Sequence, residues 1–138
     1  MKIVIIEDSV HDLLFYKSLM RTKQDISLVF FTEKVEFTKD KLEELVDLTS
    51  EEVRSTIKNY RVVNGEGIFD FFDKNHFDFF IVDSLGGFGE TLAYKVPILP
   101  EQGVFFSSTK EFRDNMIDAG YRTYSKNEMD RLILENNL

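Results

Sequence analysis

The sequence has no cysteine, no tryptophan and only two prolines among its 138 residues. Without cysteine, this chain cannot form a disulfide framework, a thiolate zinc site, an iron–sulfur cluster or a cysteine nucleophile. Basic residues are also in the minority, because 17 Lys and Arg stand against 25 Asp and Glu, giving a formal net charge of −8. Nucleic acids and anionic membranes are bound by clustered Lys and Arg. The composition therefore argues against either as the main partner.

Long hydrophobic runs are absent as well. The first apolar run, Ile3–Ile6, is followed at once by Glu7 and Asp8, and it is too short for a signal peptide or a membrane span. We therefore expect a cytoplasmic protein that has no membrane partner. The length predicts one domain over residues 1–138, and the 14 Phe predict a Phe-packed core more than an aromatic ligand platform.

Five short apolar runs predict the strands of a sheet. They are Ile3–Ile6, Ile26–Phe31, Phe77–Val82, Val104–Phe106 and Tyr121–Tyr124. Several are almost continuously hydrophobic, as strands buried on both faces of a parallel sheet are. Between the runs, Ser9 predicts a helix start, Ser108 with Glu111 a capping box, and Gly120 a helix end. Alternating strands and helices predict an α/β fold with a parallel sheet.

Two stretches depart from this simple alternation. Residues 32–61 are long and polar, and we interpret them as an inserted helical segment, with one helical pattern at Leu42–Val46 and another from Thr49 to Tyr60. We predict that this insertion lies beside the ligand-binding rim, where it either shades the rim or forms a partner surface. In the second stretch, glycines and prolines leave room only for a short helix near Glu90–Lys95.

Polar side chains follow the predicted strands at their carboxyl ends, where ligands bind in open α/β sheets. Glu7 and Asp8 follow the first strand, Asp83 the third, Ser107 the fourth and Lys126 the fifth. Three clustered carboxylates repel one another unless a cation neutralises them, and oxygen ligands suit Mg²⁺. One carboxylate can then act as a nucleophile toward phosphorus, while an ammonium and a hydroxyl hold the phosphoryl oxygens.

Taken together, five segments of the sequence resemble the receiver domain of two-component response regulators. They are I-I-E-D-S at 5–9, N-G-E-G-I-F-D-F-F at 64–72, F-D-F-F-I-V-D at 77–83, V-F-F-S-S at 104–108 and S-K at 125–126. The resemblance implies a doubly wound, five-stranded parallel sheet of the receiver or flavodoxin-like type, with strand order 2-1-3-4-5. In this chain it would carry a helical insertion after strand 2 and a shortened third helix.

The same resemblance implies a role for each residue at the strand ends. Asp83 looks like the phosphoacceptor, Ser107 like the switch hydroxyl, and Lys126 like the lysine that contacts the phosphoryl group. The implied ligands of Mg²⁺ are Glu7, Asp8, Asp83 and the backbone carbonyl of Leu85. The implied partners are a histidine kinase or phosphotransfer protein and a downstream protein target, with a homodimer as one further form.

Some positions depart from the family pattern. Asn127 follows Lys126 where the family has proline, which puts the usual cis peptide in doubt. Thr123 stands where the family has its aromatic switch residue, although Tyr121 and Tyr124 flank it. The stretch from Asp8 to Asp83 is longer than usual, which the insertion explains, and the stretch from Asp83 to Ser107 is shorter.

We therefore expect a phosphoryl-accepting receiver without an output domain, which signals by protein contact and is not an enzyme beyond its own phosphorylation and dephosphorylation. One alternative is a degenerate receiver that acts as a phosphorylation-independent interaction module. A less favoured one is a Mg²⁺-dependent phosphohydrolase or topoisomerase–primase-like domain, since those need a D-x-D motif and Asp83 is followed by Ser84 and Leu85. A flavodoxin-like FMN site is less favoured still.

Each candidate residue also has a purely structural interpretation. Glu7 and Asp8 could interact only with the dipole of the first helix, and Asp83 could simply start a turn. Lys126 taken alone would be a solvated lysine, and Ser107 could cap a helix. These interpretations remain open at the level of the sequence.

Overall fold

The computed structural model describes residues 1–33, 38–46 and 60–138. Its strands are β1 (Lys2–Glu7), β2 (Asp25–Thr32), β3 (Tyr60–Asn64), β4 (Phe79–Val82), β5 (Gly103–Phe106) and β6 (Arg122–Tyr124). Its helices are α1 (Lys17–Met20), α2 (Lys39–Val46), α3 (Gly67–Lys74), α4 (Phe88–Lys95), α5 (Lys110–Asp118) and α6 (Met129–Glu135). Short 3₁₀ segments, His11–Tyr16 and Leu85–Gly87, precede α1 and α4. In these parts of the chain no helix is both long and apolar enough to cross a membrane.

The six strands form one sheet in the order β3-β2-β1-β4-β5-β6, and every pairing is parallel. The α/β class and all five predicted strands are confirmed, and those five keep the predicted order among themselves. The prediction of a five-stranded sheet is wrong, because β3 adds an edge strand outside β2. Tyr60 and Val62 belong to this strand, whereas the sequence analysis placed Tyr60 on a helix.

The sheet is covered on both faces, so the fold is doubly wound. Along β1, Ile3 and Ile5 pack on the side of α1 and α6, while Val4 and Ile6 pack on the side of α3, α4 and α5. Phenylalanines fill much of this core, as predicted. One cluster of rings joins α3 and β4, where the Phe72 ring lies 5.7 Å from that of Phe80.

Two predicted helix starts are wrong. Ser9 does not cap the first helix, because the chain enters a 3₁₀ segment and the Ser9 N–H donates to Glu7 Oε2 at 3.2 Å. The box of Ser108 and Glu111 does not form either. α5 begins one residue later, after Thr109, with no side-chain cap, so local backbone geometry outweighs the sequence signal.

The predicted end of α5 and the predicted short helix are both confirmed. Gly120 has φ +95°, and the Tyr121 N–H donates to the Met116 carbonyl at 3.0 Å, the pattern of a left-handed helix end. The short helix is α4, which begins two residues earlier than the predicted Glu90 and ends at Lys95 as predicted.

Only part of the predicted insertion lies within the described residues. Its first helical pattern corresponds to α2, whereas the second, from Thr49 onward, falls outside the described residues. The Lys39 ammonium lies 4.6 Å from the centre of the Tyr60 ring, at the first residue of β3. This contact brings the start of α2 to the amino end of β3. It does not test the predicted position of the insertion beside the ligand-binding rim, which stays a prediction.

Candidate functional site

Strand register brings two of the predicted carboxylates side by side. Ile6 of β1 pairs with Val82 of β4, so Glu7 and Asp83 are the next residues at the carboxyl ends of adjacent strands. The Asp83 N–H donates to the Ile6 carbonyl at 3.0 Å and extends the pairing by one step. Because side chains alternate along a strand, Glu7 and Asp83 project on the same face as Ile5, toward α1 and α6.

Lys126 lies between these carboxylates. Its Nζ is 2.5 Å from Glu7 Oε1 and 2.9 Å from Asp83 Oδ1, and only 6% of the lysine is exposed. Asp12 Oδ2 lies 3.4 Å from the same nitrogen. Burial on its own would lower the pKa of Lys126, but the charges of Glu7 and Asp83 outweigh burial and raise it. The ammonium is therefore held in its charged form.

Two aromatic rings complete the surroundings of Lys126, and the sequence analysis missed both as site residues. The Lys126 Nζ lies 5.5 Å from the centre of the Tyr16 ring and 4.7 Å from that of Phe106. Phe106 directly precedes Ser107 at the end of a predicted strand, so its place beside the site could have been found from the sequence. Tyr16 gives no comparable signal, because it ends the 3₁₀ segment His11–Tyr16, whose periodicity differs from that of an α-helix.

Glu7 is completely buried, and its acceptor capacity is used within the protein. Oε1 accepts from the Tyr16 hydroxyl at 2.8 Å and from Lys126, while Oε2 accepts from the N–H groups of Asp8 and Ser9 at 3.0 and 3.2 Å. An ionised carboxylate offers about four acceptor positions, so these four donors satisfy it. Glu7 is thus arranged to fix Lys126 and the turn after β1.

Three carboxyl groups form a cluster that could hold a metal ion. Glu7, Asp8 and Asp83 each offer an oxygen, and these oxygens lie within 4.8 Å of one another. Glu7 and Asp83 are buried, whereas Asp8 is exposed, so the cluster is reached from the side of Asp8. A set made only of oxygen atoms fits a hard divalent cation. The three predicted carboxylate ligands are therefore together, although the donor set does not distinguish Mg²⁺ from similar ions.

Burial, followed by repulsion within the cluster, raises the pKa values of two of its carboxyl groups. Burial, together with the charge of Asp83, raises the pKa of Glu7 to about 8 against the opposing effect of Lys126. Burial also raises the pKa of Asp8 to about 6, with further contributions from the charge of Asp83 and a hydrogen bond to it. Without a cation, the cluster therefore retains protons near neutral pH.

The loop after Asp83 is a tight turn anchored on that residue. The Leu85 N–H donates to Asp83 Oδ2 at 2.9 Å, and Leu85 has φ +51°. The Leu85 carbonyl, a predicted metal ligand, accepts the N–H of Phe88. A carbonyl oxygen has a second lone pair, so this bond leaves it able to bind a cation.

Gly89 is required where α4 passes over this turn, and Gly89→Ala is expected to destabilise the protein by about 1–3 kcal/mol. A Cβ there would overlap the Asp83 carbonyl oxygen and come within 3.1 Å of the Ser84 carbonyl. Urea unfolding measures the loss. In Gly67→Ala, the matched control, the nearest atom to the new Cβ is Val63 Cγ1 at 3.9 Å, so stability should hold or rise. Equal unfolding midpoints for the two variants would contradict the close approach.

Ser107 is completely buried but makes no hydrogen bond to Asp83 within the described residues. Its hydroxyl oxygen accepts the Thr109 N–H at 3.1 Å, and its carbonyl accepts from Arg113 Nη1 at 2.6 Å. The helix cap considered for Ser107 does not form, because α5 begins after Thr109 with no side-chain cap. Thr109 is the donor in the contact with Ser107, so the Ser107 O–H can still donate to another group. Arg113 is a further neighbour of the site that the sequence analysis missed.

The two tyrosines beside the missing aromatic switch are bonded elsewhere. The Tyr124 hydroxyl donates to Glu135 Oε1 at 2.9 Å on the α6 side, and the Tyr121 hydroxyl donates to the Ile98 carbonyl. Thr123 therefore has no aromatic substitute in place. No cis peptide occurs in the described ranges, so the bond between Lys126 and Asn127 is trans.

The assembled site is a buried ammonium among four carboxyl groups at the carboxyl edge of a parallel sheet. No protein-family model matches the sequence, and no match is found among curated proteins or solved structures. What the site can do must follow from its own chemistry. It can hold a divalent cation, and it places the Asp83 carboxylate next to the ammonium of Lys126.

Proposed function

We propose that the chain is a receiver domain of the cytoplasm that accepts a phosphoryl group on Asp83 from a histidine kinase or phosphotransfer protein and signals by protein contact. The observation that carries the proposal is the position of Asp83. Asp83 directly follows β4 and is 5% exposed, and its carboxylate lies 2.9 Å from the Lys126 ammonium and close to two further carboxyls. The sequence resemblance supports the same assignment.

In the proposed step, an Asp83 carboxylate oxygen attacks the phosphorus atom of the donor. The new O–P bond forms as the bond from phosphorus to the donor nitrogen or oxygen breaks, and the leaving group takes that electron pair. Because the Lys126 Nζ already contacts Asp83, its ammonium would stabilise the negative charge on the oxygens of the incoming phosphoryl group. Ser107 would contribute its O–H as a further donor to the phosphoryl oxygens.

The residues that would hold Mg²⁺ are Asp8 and Asp83, with the Leu85 carbonyl and Glu7 as the remaining candidates. Glu7 already accepts four hydrogen bonds, so we assign it chiefly to holding Lys126 and to the overall charge of the site. When bound, the cation would neutralise the carboxylates and the incoming phosphoryl oxygens. Asp8 is the exposed member of the cluster and the most accessible ligand.

The degenerate receiver remains the second candidate, and one observation favours it. Thr123 leaves no aromatic side chain to follow a movement of Ser107, and both neighbouring tyrosines are bonded elsewhere. A module of this kind would use its surface without phosphorylation, and the ion pairs of Lys126 would then be structural. Binding of Mg²⁺ separates the two candidates.

Asp8→Asn is expected to weaken Mg²⁺ binding at least tenfold, because it removes the most accessible anionic ligand. Isothermal titration calorimetry or the Mg²⁺-dependent shift in thermal unfolding measures the affinity. Asp118→Asn is the matched control, since Asp118 is exposed at the end of α5, away from the cluster. A wild-type protein that binds no Mg²⁺, or equal affinities in both variants, would favour the degenerate receiver.

The apparent Mg²⁺ affinity is expected to rise between about pH 6 and about pH 8. In the metal-free protein the pKa of Asp8 is about 6 and that of Glu7 about 8, so protons compete with the cation below those values. The pKa of Glu7 is higher in the metal-free folded protein than its ordinary value of 4.5. Glu7 therefore contributes to the free energy of unfolding fully below pH 4.5, and this contribution is lost as pH rises through about 8. Titrations at several pH values test both trends, and a flat affinity would argue against these ligands.

A further inference from the structure

A second site lies away from the acidic cluster, in a cleft of about 870 Å³ beside β3. Its described lining comes from the first residue of β1, the middle of β2, all of β3, the start of α2, and α3 with the loop that follows it. None of Glu7, Asp83 and Lys126 belongs to it. The volume is within the range of roughly 300–1,000 Å³ that small-molecule sites occupy.

Three cations line this cleft, Lys2, Lys39 and Arg61, and its described lining includes no Asp or Glu. This is a local reversal of charge, because the whole chain has a net charge of −8. In the described ranges no carboxylate forms an ion pair with any of the three side chains. Asp78 is near, but it accepts the backbone N–H of Lys2. Within the described parts of the chain, these three cations therefore have no carboxylate partner.

Each of these cations rests over an aromatic ring instead. The cation-to-centroid distances are 5.5 Å for Lys2 over Phe77, 4.6 Å for Lys39 over Tyr60 and 5.9 Å for Arg61 over Phe71. A ring orients a cation by its negative face but does not neutralise it. The described residues thus place three cationic side chains, each beside an aromatic ring, around one concavity.

We propose that this cleft binds a phosphorylated small molecule carrying at least two phosphate groups. A guanidinium and two ammonium groups match clustered phosphate oxygens, and Ser27 and Asn75 add neutral polar groups to the lining. A compact concavity suits a small ligand better than an extended acidic peptide. The cleft does not include Asp83, so the test of this proposal is independent of the proposed receiver function.

The test is calorimetric titration of pyrophosphate, ADP, adenosine and a hexaglutamate peptide into the full chain, with EDTA present so that the acidic cluster cannot contribute through a metal. Pyrophosphate and ADP should bind, more weakly as salt rises, and adenosine should not. Tighter binding of ADP than of pyrophosphate would identify a nucleotide, and equal binding would identify the phosphates alone as the recognised group.

The combined Lys39→Gln and Arg61→Gln variant should bind pyrophosphate at least tenfold more weakly than wild type. Both side chains are exposed, so the variant should fold, and circular dichroism checks this. The matched control is Lys95→Gln, whose lysine lies 5.1 Å from the Phe69 ring centre but outside the cleft. The proposal is overturned if wild type binds no pyrophosphate at millimolar concentration, if the double variant binds equally well, or if hexaglutamate binds as tightly.

Discussion

Asp83→Asn is expected to abolish Mg²⁺-dependent labelling of the protein by a small phosphodonor such as phosphoramidate. The amide lacks the anionic oxygen that attacks phosphorus, and no other described carboxylate has both the Lys126 ammonium at 2.9 Å and the open edge of the cluster beside it. Intact-mass spectrometry should find one added phosphoryl group on wild type with Mg²⁺ and none with EDTA.

The control for this loss is an aspartate outside the site. Asp118→Asn removes the same charge from the exposed end of α5 and should be labelled like wild type. Circular dichroism of Asp83→Asn separates loss of the nucleophile from loss of the fold. Labelling of Asp83→Asn at the wild-type rate would show that another residue accepts the phosphoryl group.

Above about pH 8, where Glu7 is ionised, Lys126→Met is expected to lower the free energy of unfolding by about 3–5 kcal/mol, the cost of removing one partner from buried ion pairs. Glu7 and Asp83 would then face each other at 0% and 5% exposure without their shared cation. Urea unfolding measures the loss. Mg²⁺ should restore part of the stability, because a bound cation would replace the missing positive charge.

Two further variants identify the cause of this loss. Adding Glu7→Gln to Lys126→Met should recover part of the stability, since it removes a buried charge that has lost its partner. Lys110→Met breaks only an exposed ion pair with Asp114 and should cost less than about 1 kcal/mol. If Lys126→Met unfolds at the wild-type urea concentration, Lys126 is not the electrostatic centre of the site.

The strand ends were predictable because two sequence features coincide there, the end of an apolar run and the polar residues that follow it. Runs such as Ile3–Ile6 signal buried parallel strands, and the polar residues that follow must meet at one edge of the sheet. Glu7, Asp83 and Lys126 therefore come together as the spacing predicts, despite the 119 positions between the first and the last. Here the pattern of hydrophobicity is enough to predict which residues meet at the carboxyl edge of the sheet.

What the sequence did not reveal depends on packing. β3 was missed because Tyr60 fits the end of a helical pattern as well as the start of a strand, and pairing with β2 decides between them. Tyr16 is buried in the core on the α1 side of the sheet, and its hydroxyl also donates to Glu7. Only the three-dimensional structure shows that one side chain does both.

Binding of beryllofluoride, a mimic of the phosphoryl group, tests the central claim most directly. With Mg²⁺ present, fluorine NMR should detect a bound species on wild type that is absent from Asp83→Asn and lost with EDTA. A crystal structure of that complex should place the beryllofluoride on Asp83, beside Lys126. If wild type binds no beryllofluoride at saturating Mg²⁺, or if Asp83→Asn binds it equally well, Asp83 is not the phosphoacceptor.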